Sequence, residues 1–172
     1  MMKHGFDMRR VFIAGPGDLE REREAVRKAI GDVNETDAMP RKVLLVSVGL
    51  MHDEHIVGYR AAVSENVRDS EFFVQVFEDD WGPKNLFRKI FHLAMECRDD
   101  GSMPMREIAV FLKDARPETD PEIVGLRAEL EQAPDVRVHY FNTAAQLSEQ
   151  VREVASGWVR NIVAEGERVA SA

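Results

Sequence analysis

"RRVFIAGPGDLEREREAV", Arg9 to Val26, opens as an apolar run, turns through Gly-Pro-Gly and becomes a charged helix. Val11 to Ala14 are apolar at consecutive positions, the mark of a strand covered on both faces, as in a parallel sheet. Gly15, Pro16 and Gly17 are turn formers. Over residues 18–31, Leu19, Val26 and Ile30 fall on one side of a helix, with Glu20, Arg21, Glu22, Glu24 and Lys28 mostly elsewhere. The unit is strand, tight turn, helix.

The unit recurs along the chain. Apolar or β-branched runs lie at Val43–Leu50, Phe72–Phe77, Ile108–Leu112 and Val136–Phe141. Helical spacing follows them over 56–68, 84–97, 121–133 and 143–164. Pro121 suits a first helical turn, and Thr143 with Gln146 forms a capping-box pair. Residues 32–41, 98–105 and 113–120 read as loops, none long enough to separate a second domain. Five strands alternating with five helices predict a single α/β domain over 1–172, a three-layer sandwich. The expected sheet is flavodoxin-like: five parallel strands in the order 2-1-3-4-5 with helices on both faces. The expected core runs over about 9–164, with 165–172 as a flexible tail.

Composition narrows the function classes. The 172 residues carry a formal net charge of -8, which argues against general nucleic-acid binding through clustered Lys and Arg. The single cysteine, Cys97, excludes a disulfide framework and fits a reducing cytoplasm. It reads as a small, partly buried side chain. No stretch is long enough to span a bilayer, and "MMKHGFDMRR" lacks a following apolar segment of signal-peptide type. The expectation is a cytoplasmic protein with no nucleic-acid or membrane partner.

In sheets of this order ligands sit at the carboxyl ends of the strands, near the switch point between strands 1 and 3. Gly15 and Gly17 would allow close backbone approach there, and Asp18 is placed to cap the following helix. The free N–H groups of that helix would suit an anion, but Asp18 and Glu20 already complement its dipole and would repel a phosphate placed on them. The stretch has neither the Lys-Ser/Thr of a P-loop nor the G-x-G-x-x-G pattern.

The block "VFIAGPGDLEREREAVRKAI" resembles the opening of TIR-like domains found at the N-termini of bacterial STAND-type NTPases. The matching residues are Val11, Phe12, Ile13, Pro16, Gly17, Asp18, Leu19, Glu22, Arg23, Ala25 and Val26. "SEFFVQVFEDDWGP" resembles the third strand of that family with its Trp81-Gly82-Pro83 turn; "IAVFLKD" and "VHYFNTAAQLSEQVREVASGWV" resemble the fourth strand and the closing strand and helix. The resemblance spans nearly the whole chain, and no NTPase follows it. It implies a flavodoxin-like fold shared with TIR and nucleoside deoxyribosyltransferase domains, whose active members cleave N-glycosidic bonds, often in NAD, with a glutamate on the helix after strand three. A carboxylate there stabilises or traps an oxocarbenium-like transition state. The family pattern, aligned on Ala94, puts that glutamate at Ile90, beside Lys89; neither is a carboxylate. Glu96 lies about 240° further round the helix and should face away.

The resemblance therefore implies a signalling or assembly module that is noncatalytic, self-associating or paired with another signalling protein, and requiring no cofactor. A nucleotide-shaped cleft could take NAD or a related nucleotide through Gly15, Pro16, Gly17, Asp18, Arg23, Trp81 and Gly82. Arg23 would either reach a phosphate or pin the first loop through a carboxylate. Trp81 would stack on a base or plug the sheet end. The alternative is a divergent NAD or nucleoside N-glycosidase that uses Asp79 or Asp80, acids at the end of strand three that could contact a ribose hydroxyl. "HDEH", His52 to His55, has a spacing too common to assign a metal, so no metal site is expected. His92 reads as a surface or satisfied histidine, His139 as a face filler of strand five and Trp158 as core.

Overall fold

A computed structural model describes residues 5–49, 60–79, 85–114 and 121–171. Five strands form one sheet in the order β2-β1-β3-β4-β5: β1 (Asp7–Ala14), β2 (Val43–Val48), β3 (Phe72–Phe77), β4 (Glu107–Lys113) and β5 (Arg137–Phe141). Every pairing is parallel. The helices are α1 (Glu20–Val33), α2 (Arg60–Arg68), α3 (Leu86–Asp99), α4 (Pro121–Glu131) and α5 (Ala144–Ala170). The fold is the expected flavodoxin-like α/β sandwich. No helix among the described residues is long and apolar enough to cross a membrane.

Strand alternation divides the core in two. Val11, Ile13, Phe72, Val74, Val76, Ala109 and Phe111 pack against α1 and α5. Phe12, Ala14, Phe73, Phe77, Ile108, Val110 and Leu112 pack against α2, α3 and Leu130 of α4. Both faces of the central strands are covered, so these strands are apolar without alternation. Trp158 is buried, as expected, stacked on Phe72 at 4.3 Å and donating Nε1–H to Glu107.

Beyond shifts of one or two residues at strand and helix ends, three segments differ from the sequence reading. β1 starts at Asp7 rather than Val11 because its first residues pair with β2, Asp7 with Val43 through Arg10 with Val46. Their polar side chains lie at the rim, where Arg9 donates to both Glu71 oxygens at 2.7 and 2.9 Å. The tail expected to be flexible is helical to Ala170, tethered by the ion pair of Arg106 with Glu165.

Residues 32–41 are not a loop. α1 runs on into a π-helical turn, Asn34–Ala38, and a 3-10 turn, Met39–Arg41, closed by Lys42 at φ 62. The polar letters "NETD" hide the reason. Asn34 donates Nδ2–H to the Leu45 carbonyl at 2.8 Å and accepts the Leu45 N–H at 2.9 Å. One amide thus takes the place of a neighbouring strand on the open edge of β2 and blunts that edge against pairing with other chains. Asn34→Ala is expected to destabilise the domain by about 2 kcal/mol, from two lost bonds that leave backbone groups partly buried. The variant should also associate at high concentration, and urea unfolding with light scattering checks both effects.

Candidate functional site

The carboxyl ends of β1, β3 and β4 converge at the switch point. β1 ends at Ala14, and Gly15 and the buried Pro16 lead into a 3-10 turn, Gly17–Leu19, in which the Pro16 carbonyl accepts the Leu19 N–H at 3.0 Å. This extra turn moves the start of α1 to Glu20. Asp18 therefore does not cap α1 as expected; Leu19 occupies the N-cap, without a side-chain bond. Asp18 instead faces the end of β3. Its carboxylate and those of Glu78 and Asp79 each offer an oxygen, and these atoms all lie within 4.8 Å of one another.

Gly15 does not use a left-handed backbone; the described glycines with positive φ are Gly5 and Gly49. A Cβ at Gly15 would touch Cγ and Cδ of Arg23 and the Val76 carbonyl, each at 3.4 Å. Arg23 is thus packed beneath the turn and is 1% exposed. Glu22, its neighbour in the motif, is also buried and forms an ion pair with Lys113 at 2.9 Å.

Lys113 links the three strand ends. Beyond Glu22, it lies 3.9 Å from Glu78. Its hydrogen bond to Glu22 holds its ammonium above the ordinary lysine range; burial opposes this, and the charges of Glu22, Glu78 and Asp18 add to it. Arg127 of α4 donates to the Glu78 carbonyl at 3.3 Å and to the Lys113 carbonyl, tying β3 to β4. Glu78, Lys113 and Arg127 were missed by sequence reasoning. The signal for the first two is position: each stands at the carboxyl end of an apolar strand, Glu78 directly after Phe77 and Lys113 as the last residue of β4.

Below this polar rim the core is closed. Ile90 is 6% exposed and belongs to one apolar cluster with Leu86, Phe87 and Phe91 of α3 and Phe12, Phe73 and Phe77 of the sheet. Lys89 is exposed, and so is Glu96, as its helical angle implies. Gln75 interrupts β3 opposite Ala14; it is fully buried and donates to the Val76 carbonyl at 3.1 Å, while its Oε1 has no partner.

Of the residues singled out in the sequence, Asp18 and Asp79 come together, while Gly15, Pro16 and Arg23 lie beneath and beside them. Asp80, Trp81, Gly82 and His52 to His55 lie outside the described residues. His92 is on the surface, paired with Glu129 at 2.8 Å, and His139 is half-buried against Phe111. Cys97 is buried, which pushes its thiol up and away from reactivity.

Three convergent carboxylates oppose an anion placed directly on the turn. They suit acceptor work: hydrogen bonds from vicinal hydroxyls, or oxygen ligation of a hard cation. No protein-family model matches the chain, and the search of curated proteins gave no significant match.

Proposed function

We propose that this chain is a TIR-like signalling or assembly module that does not hydrolyse NAD. The observation that carries the reading is Ile90. The position that the resemblance assigns to a catalytic glutamate is an apolar side chain, closed into the core with Leu86, Phe87 and Phe91. The opening motif supports the family reading further, since its Glu22 pairs with Lys113 at the end of β4 and its Arg23 is buried against the Gly15 turn. The carboxylates of Asp18, Glu78 and Asp79 at the switch point suit the hydroxyls of a ribose. They favour a nucleotide, NAD or a relative, held as a ligand rather than consumed. The cytoplasm is the compartment that fits the single buried thiol. Sedimentation velocity across a wide concentration range tests the module. Reversible growth beyond the monomer is expected, and a monomer at every concentration would remove the assembly reading.

The acidic cluster favours a second reading, an N-glycosidase in which Asp79 replaces the missing glutamate. It requires that nicotinamide or base release exist and that Asp79→Ala abolish it.

A further inference from the structure

The opposite edge of the sheet holds a separate charged groove. β5 is the outermost strand, and α5 covers it incompletely because its buried stripe, including Val151, Ala155, Trp158 and Ile162, packs over the inner strands. Beside that stripe, Glu153, Gly157, Arg160 and Asn161 recur at helical spacing and share one side of α5. Facing them are Arg137 and His139, alternate residues of β5 and so on the same face of the sheet. Between them lies a groove of about 530 Å³.

Its positive charge is largely uncommitted. Arg160 makes no ion pair or side-chain hydrogen bond among the described residues. Its guanidinium lies back along the helix, 3.7 Å from where a Cβ of Gly157 would stand, so the glycine leaves both the arginine and the groove floor clear. Arg137 has only a long contact with Glu107, 3.5 Å, and is half exposed. The His139 ring is stacked on Phe111 at 5.0 Å, and its Nε2 is shielded from solvent with no hydrogen-bond partner. Glu153 is the carboxylate that opposes them. In a chain of net charge -8, Arg160 with all its donors free among the described residues and Arg137 held only by the long Glu107 contact concentrate guanidinium donors at this groove, with Glu153 and Glu107 as the neighbouring acids.

We propose that this groove binds a small phosphate ester, with Arg137 and Arg160 clamping its phosphoryl oxygens and Asn161 donating from the rim. Guanidinium forks match the geometry of phosphate oxygens, and the groove has the size of a small-molecule site rather than that of a bare ion.

The test titrates the full chain with inorganic phosphate and, separately, with ribose 5-phosphate, following the Arg137 and Arg160 side-chain N–H resonances. Saturable shifts are expected, with a Kd of about 1 mM for the ester and about tenfold weaker binding of phosphate. Arg160→Gln and Arg137→Gln should each weaken the ester about tenfold, and Glu153→Gln should tighten it. Gly157→Leu keeps every charge but fills the floor, and should weaken the ester as much as losing an arginine. Shifts that fail to saturate, equal affinity for the two probes, or undiminished binding by Gly157→Leu would each overturn the proposal.

Discussion

Ile90→Glu is expected to destabilise the domain by about 4 kcal/mol and to release no nicotinamide from NAD. The substitution places a glutamate where the proposed TIR-like resemblance expects one, so the result separates two kinds of site. If the position opened onto a cleft, a glutamate would be solvated and harmless. In this chain it would stand at a position only 6% exposed, within the apolar cluster that includes Leu86, Phe87, Phe91, Phe73 and Phe77. The carboxylate would lose hydration, which pushes its pKa up and makes its ionised form costly. Ile90→Ala provides the reference for lost packing alone, about 3 kcal/mol. Urea unfolding of both variants gives the comparison. A glutamate variant as stable as the wild type would show that the space is open and would undermine the closed-core account.

Gly49→Ala is expected to destabilise by about 3 kcal/mol, although it adds a single methyl group. Gly49 directly follows β2 at φ +142, a conformation that residues with a side chain rarely adopt, and a Cβ there would stand 2.7 Å from the Ile13 carbonyl oxygen. That oxygen belongs to backbone in the centre of the sheet, so neither partner yields without breaking strand pairing. The strain falls where β2 leaves the sheet beside β1, next to the carboxyl ends that build the candidate site. Thermal unfolding should show a loss of about 6–12 °C. A shift within a degree or two of the wild type would mean that β2 ends differently.

The fold was legible because its central strands are apolar on both faces; Phe72–Phe77 was read to the residue. Boundaries were lost where polar side chains hide regular backbone. Asp7 to Arg10 form a strand through ladder bonds that hydropathy does not report, and Asn34 holds an edge strand from within a stretch that reads as a loop. The site was only half legible. Strand-end logic placed Asp18 and Asp79 at the switch point, and helical angle turned Glu96 away. It assigned Asp18 to a helix cap because the inserted 3-10 turn leaves no mark in the composition. It passed over Lys113 because nothing local says that a strand-end lysine will meet Glu22, 91 positions earlier in the chain.

The measurement closest to the central claim is incubation of the concentrated, pure chain with NAD, with free nicotinamide followed by chromatography and Asp79→Ala run in parallel. The account predicts no release by either protein, even when the chain is crowded to promote assembly. Release by the wild type that Asp79→Ala abolishes would contradict it and would establish the strand-end acid as the replacement for the missing glutamate.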